Sequence, residues 1–298
     1  MKNYKLLITL IGLTASSFAA TTTTKAPQIE SHEIAKFTEV LQYVDKNQTK
    51  QHPDQLCLVY DMDNTILSAE PNVGSDSWMA WNSKLSLDNP NRISNWQISN
   101  DLHGFEGALR FFIKYYPTEN STLATLNQIK DQQGHPSIVM TARSYERYYA
   151  ATNNQLLVNQ MDFTTNPIGK TGAANQALTL TPNDATTGYK AYFKGVFYSA
   201  DDNKGTEILK LIAEQRKLNK NPTLCETTIF VDNSATNTKN VYHAFLGNSQ
   251  KLNLVALHYT HYDNYLTTNP QDLKTWNINE SASQGQNLLN LIKQLNAK

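Results

Sequence analysis

Five short apolar runs, Leu56 to Tyr60, Ser137 to Met140, Val196 to Tyr198, Thr228 to Val231 and Leu252 to Leu257, punctuate the chain between polar or turn residues. None shows the strict apolar-polar alternation of a half-exposed strand, which fits strands buried on both faces. Stretches of helical periodicity separate them, predicting helices over Thr122 to Gln133, Tyr145 to Val158, Lys204 to Arg216, Thr238 to Phe245 and Gln286 to Leu295. The last carries a core-facing stripe of Leu288, Leu289, Leu291, Ile292 and Leu295. Ahead of the first run, Ile34, Phe37, Val40, Leu41 and Val44 recur at helical spacing and predict an N-terminal helix packed on the core. The alternation as a whole predicts an α/β protein with a doubly wound parallel sheet.

Two stretches break the alternation. Asn72 to Pro117 is rich in Trp, Asn and Ser, and Thr164 to Lys194 in Thr, Asn and Gly. Long segments outside the regular elements of a compact domain usually serve as lids or binding lobes. The first carries Trp78, Trp81, Trp96, Phe105, Phe111, Phe112, Tyr115 and Tyr116, enough for a small core of its own or a face to stack on a ring.

The chain has 298 residues, 40% of them hydrophobic, enough for one large domain or a core with an inserted lobe. At its start, Lys2 and Lys5 precede an apolar run from Leu6 to Leu13 that fades into small residues, with Ser17-Phe18-Ala19 as a cleavage pattern. That order predicts a signal peptide over residues 1–20 and an exported protein, periplasmic or secreted. The apolar run is well below the ~20 residues of a spanning helix, so no stable membrane anchor is expected after cleavage. Losing the two lysines turns an even balance of 26 basic and 26 acidic residues slightly acidic, which argues against a nucleic-acid partner. With Asp61 and Asp232 level at neighbouring strand ends, Cys57 lies four residues back and Cys225 seven. That offset of roughly 10 Å at strand rise exceeds disulfide reach, so two buried free thiols are expected.

The first strand ends in Asp61-Met62-Asp63-Asn64-Thr65. Ligands of open α/β sheets bind beyond the carboxyl ends of the strands, so both acids face the crevice. Two carboxylates so placed can divide covalent and proton-transfer work if the chain turns sharply after the strand. A turn or a solvated strand end would use the same residues.

Here the sequence resembles the haloacid dehalogenase superfamily, whose signature opens with Asp-x-Asp-x-Thr after a hydrophobic strand. The resemblance implies that Asp61 is a nucleophile that becomes an aspartyl-phosphate, that Asp63 is general acid and base, and that Thr65 fixes the loop. The later elements follow in order: Thr141 at the end of the second strand to hold a phosphoryl oxygen, Lys204 opening a helix to neutralise phosphate, and Asp232 after Ile229-Phe230-Val231 as a metal ligand. A magnesium ion held by Asp61, Asp232 and the backbone carbonyl of Asp63 is implied as cofactor. Asn233 stands where the motif frequently has a second Asp, and with Asn237 it would support the metal-bound water. Arg143 has two open uses, on phosphate or at the surface. A rival arrangement makes Asp201 and Asp202 the metal acids, but leaves no later Lys in place.

The resemblance spans roughly Leu56 to Leu257. It implies one domain over residues 21–298, with a core at about 30–71 and 118–298, a mainly helical cap at about 72–117 and a second insertion at about 164–194. Secreted acid phosphatases of the superfamily share this layout, implying hydrolysis of a small phosphorylated metabolite by a phosphomonoesterase. The competing expectation is a catalytically silent relative that binds a partner or ligand through its lid.

Overall fold

The computed structural model describes residues 26–69, 86, 88, 110–111, 113–169, 178–180 and 189–261. The leader expected over 1–20 and the helix expected over Gln286 to Leu295 lie outside them, as does most of the segment 72–117. Among the described residues, no helix is long and apolar enough to cross a membrane.

Among the described residues, ten strands and five α-helices form in chain order: β1 (Ile29–Ile34), α1 (Val40–Asn47), β2 (Leu56–Tyr60), β3 (Leu67–Ala69), β4 (Tyr115–Pro117), α2 (Thr122–Asn127), β5 (Ser137–Thr141), α3 (Tyr145–Val158), β6 (Leu178–Leu180), β7 (Lys190–Phe193), β8 (Val196–Tyr198), α4 (Lys204–Asn219), β9 (Thr227–Asp232), α5 (Ala235–Leu246) and β10 (Asn253–Tyr259). Eight strands make one sheet in the order β1-β10-β9-β2-β5-β8-β7-β6. All neighbours from β1 to β8 pair in parallel, and β7 and β6 continue the sheet antiparallel.

The five apolar runs are strands because each has two buried faces. In β2, Leu56, Leu58 and Tyr60 join the core with Phe37, with Val40 and Val44 of α1 and with Leu156 of α3. Cys57 and Val59 point the other way, into a second core with Ile208, Leu211 and Ile212 of α4 and Val241 and Phe245 of α5. The same split recurs in β9, with Ile229 and Val231 on one side and Phe230 on the other, and in β10. Helices therefore cover both faces, and the sheet is doubly wound. From β2 the chain builds outward through β5 and β8, then crosses to β9 and β10 on the other side. That reversal opens a crevice at the carboxyl ends of β2 and β9.

Three expectations are corrected. Ile34 does not open a helix: it ends β1, an edge strand paired to β10, and the chain passes through a short 3-10 turn, Phe37–Glu39, before α1. Its sequence, Ile-Glu-Ser-His-Glu-Ile, carries the polar residues of an edge, and Ile34 and Phe37 share a helical interval only by accident. Cys57 and Cys225 are not free thiols but a disulfide, with Cα atoms 5.0 Å apart. Cys225 precedes β9 rather than lying in it, and its positive φ of 55° turns the chain back towards Cys57. Its N–H donates to the Asp54 carbonyl at 2.9 Å, which holds that turn against the start of β2. Finally, Thr122 to Gln133 is not one regular helix: α2 gives way to a π-turn over Gln128–Gln132.

Within Thr164 to Lys194, β6 and β7 are the antiparallel continuation of the sheet. β3 and β4 pair with each other, Ala69 opposite Tyr115, so the segment between them leaves and returns at one place.

Candidate functional site

β2 ends at Tyr60, but its pairing runs one residue further: the Asp61 N–H donates to the Val231 carbonyl at 2.8 Å. That bond fixes Asp61 beside Asp232, the last residue of β9. The chain then turns through Asn64, whose φ of 62° is a left-handed conformation that Asn tolerates better than most residues. The N–H groups of Ile66 and Leu67 return to the Met62 carbonyl at 3.1 and 3.0 Å. This turn brings Thr65 back under Asp61, where its Oγ1 donates to Asp61 Oδ2 at 3.1 Å and accepts from the Asn233 N–H at 2.9 Å.

Lys204 is the first residue of α4, after an Asn203 cap whose side chain accepts from the Thr206 N–H at 3.1 Å. Its place there depends on Gly205. A Cβ at that position would lie 2.6 Å from Ala244 Cβ and 2.8 Å from Val241 Cα, so only glycine lets α4 cross α5 this closely. A lysine at a helix N-terminus opposes the helix dipole. Two carboxylates offset that cost: the Lys204 ammonium donates to Asp61 Oδ1 and, at 2.7 Å, to Asp232 Oδ2. Lys204, Asp61 and Asp232 are all buried. Asp232 is held in turn by the Ser234 N–H at 2.7 Å and by the Asn237 amide at 3.1 and 3.3 Å.

One ammonium between two carboxylates leaves an excess negative charge, and both partners register it. Burial pushes the Asp61 carboxyl up, to about 7, against the pull of Lys204, and Asp232 adds to the rise. Burial disfavours the charged lysine, but Asp232 and Asp61 outweigh it and hold Lys204 above its usual value.

Asp63 lives in the opposite field. Arg143 grips it with two bonds, Nε to Oδ2 at 3.0 Å and Nη2 to Oδ1 at 2.6 Å, and Arg110 adds Nη1 to Oδ1 at 3.0 Å. Burial acts to raise the Asp63 carboxyl, yet the two guanidiniums hold it below the usual carboxylate range. Both arginines are buried and share the Tyr115 hydroxyl as acceptor, at 2.9 and 3.2 Å.

The crevice thus brings together Asp61, Thr65, Lys204, Asp232, Asn233 and Asn237 in one hydrogen-bonded cluster. Thr141, at the end of β5, is buried, and its Oγ1 accepts from the Arg143 N–H at 3.3 Å. The Asp201 and Asp202 arrangement gains nothing: Asp202 pairs with Lys190 and Asp201 is exposed. Arg143 does not sit at the surface; it is buried against Asp63. Arg110 and Tyr115 were not singled out from the sequence as site residues. Among the described residues, no group of three or more His, Cys, Asp and Glu side chains converges to hold a metal.

A doubly wound α/β sheet with a charged cluster in its crevice defines the class. The chain belongs to the family described as Protein of unknown function (DUF2608), whose model matches residues 33–297. No curated protein and no solved structure matches it.

Proposed function

We propose that this protein is an exported, magnesium-dependent phosphomonoester hydrolase of the haloacid dehalogenase type, with Asp61 as nucleophile and the segment at about 72–117 as its cap. The observation that carries this is the Lys204 bridge between Asp61 and Asp232. Lysine has three N–H donors, and those two carboxylates take two of them, so one remains for a phosphoryl oxygen. The disulfide is consistent with export.

The donor set fits magnesium. Oδ1 of Asp61 and Oδ2 of Asp232 converge on one cationic group, and two hard carboxylate oxygens are what this ion takes while keeping several waters. Asp61, Asp232 and the Asp63 carbonyl would hold it, with the Asn233 amide supporting a bound water. When bound, it neutralises the paired acids and polarises the phosphoryl group.

The chain's own residues do the rest. Thr65 holds one oxygen of Asp61 and Lys204 the other, so the carboxylate is oriented before substrate arrives. An Asp61 oxygen forms a bond to phosphorus while the ester bond to the leaving alcohol breaks; Asp63, kept ionised by its two guanidiniums, takes a proton from solvent and relays it to that alcohol. Water then displaces Asp61 from phosphorus, giving up a proton to Asp63 and releasing inorganic phosphate. Thr141 and Lys204 stabilise the phosphoryl oxygens throughout.

The test is hydrolysis of 4-nitrophenyl phosphate and of a panel of phosphorylated metabolites by the mature protein with added magnesium. Asp61→Asn is expected to abolish turnover while leaving the circular dichroism spectrum unchanged. Full activity in Asp61→Asn would remove the nucleophile assignment.

A further inference from the structure

Arginine has five N–H donors, and in Arg143 all five are spent inside the protein. Nε and one Nη2 proton go to the two oxygens of Asp63, at 3.0 and 2.6 Å. The other Nη2 proton goes to the Tyr115 hydroxyl at 3.2 Å, and the two Nη1 protons go to Thr152 Oγ1 at 2.8 Å and Gln155 Oε1 at 2.7 Å. Thr152 and Gln155 lie on α3 and are themselves buried, so the guanidinium is fixed from behind by a helix. Nothing is left with which to hold a substrate anion.

Asp63 is not used up in the same way. A carboxylate offers about four acceptor positions. Oδ1 accepts two donors, from Arg143 and Arg110, whereas Oδ2 accepts one, from Arg143 Nε. The clamp thus fixes the plane of the carboxylate and leaves an acceptor position on Oδ2.

We infer that Arg143 is a positioning residue, which presents Oδ2 of Asp63 to the water that hydrolyses the aspartyl-phosphate, and that it does not touch the substrate. This rests on the phosphohydrolase reading above. In the step concerned, the water oxygen forms its bond to phosphorus as the bond from phosphorus to the Asp61 oxygen breaks. The water's proton passes to Asp63 Oδ2 and later to solvent, and phosphate departs.

An ester with a good leaving group separates this step from the one before it, because 4-nitrophenolate leaves without a proton. Arg143→Lys keeps one positive charge but cannot grip both oxygens. With 4-nitrophenyl phosphate and magnesium, kcat is expected to fall by roughly 10- to 100-fold, part of what a positioned general base contributes. KM should fall with it, so that kcat/KM holds within about threefold. Because phosphorylation then outruns hydrolysis, stopped flow should show a burst of nitrophenolate close to one equivalent. Intact-mass spectrometry should find the phosphorylated chain during turnover.

Gln155→Leu, which removes only one acceptor behind Arg143, guards against failure to fold and should show the same pattern more weakly. A raised KM at unchanged kcat would make Arg143 a substrate-binding residue and overturn the inference. So would equal falls in kcat and kcat/KM without a burst, the signature of general structural damage. No hydrolysis of any ester by the unsubstituted protein overturns the phosphohydrolase reading itself, a distinct result.

Discussion

Asp63 is gripped at both oxygens by Arg143, whereas Asp61, two residues earlier, shares a single ammonium with Asp232. The two acids of one short motif therefore have opposite relations to the stability of the fold. A carboxyl held low in the folded protein stabilises it at all pH values where the unfolded chain is ionised. A carboxyl pushed up makes its charge a cost.

The first prediction follows from that contrast. In metal-free buffer at pH 7.5, Asp63→Asn should lower the unfolding free energy by about 3 kcal/mol, because two buried guanidiniums lose their counter-charge. Asp61→Asn should leave stability unchanged or raise it. The Asp63 contribution is complete above the unfolded carboxyl value near ~3.9 and is lost as pH falls through its lower folded value. Urea titrations at pH 7.5 and in acid should show the gap between the unsubstituted protein and Asp63→Asn narrowing as pH falls. An Asp63→Asn protein as stable as the parent at neutral pH would contradict the clamp.

Gly205 gives a second. Adding a methyl group where α4 meets α5 should cost about 1–3 kcal/mol by overpacking and should displace Lys204, lowering activity. Replacing Ala244 with Gly in the same chain removes the nearest obstructing atom, 2.6 Å from the added Cβ, and should recover part of the loss. A double-mutant cycle in urea measures the recovery, and strictly additive losses would argue against contact between the two positions.

The disulfide gives a third. Thiol titration of the unfolded, unreduced protein should find no free cysteine, and reduction should release two. Replacing both Cys57 and Cys225 with Ala should lower stability by about 2–4 kcal/mol. The bridge lies at the amino ends of β2 and β9, away from the crevice, so kcat should be preserved. Loss of turnover with the fold intact would tie the bridge to the site in a way the geometry does not.

Asn233 gives the last. Its N–H holds Thr65 at 2.9 Å, an interaction that Asp can keep. Asn233→Asp adds a carboxylate beside Asp232 and should lower the magnesium concentration for half-maximal activity by roughly tenfold, since site charge tunes affinity for hard cations. An unchanged or weaker requirement would place the metal elsewhere.

All five central strands are legible because their residues are mostly apolar without strict alternation, which burial on both faces rewards. The same rule hides β1, an edge strand with four consecutive polar residues from Glu30 to Glu33, and hides β7, whose Lys190 is buried only because Asp202 and Glu207 surround it. The disulfide is hidden because an offset counted along two extended strands does not apply to Cys225, which lies in a turn before β9. In the site, Asp61, Lys204 and Asp232 could be placed because each closes or opens a regular element. Arg110 and Tyr115 could not, since Arg110 reaches Asp63 across 47 residues, Tyr115 meets Arg143 across 28, and no local pattern marks either. Arg143 was visible as a residue, but its five donors could be counted only in three dimensions.

The pairing of β3 with β4 carries a consequence for how such a protein diversifies. Chain leaving at Ala69 comes back at Tyr115, its neighbour in the ribbon, so whatever lies between is hung on a single doorway. Under the phosphohydrolase reading, selection for a new substrate can act on that segment while Asp61 and Lys204 are inherited intact, provided it still returns an arginine to Asp63.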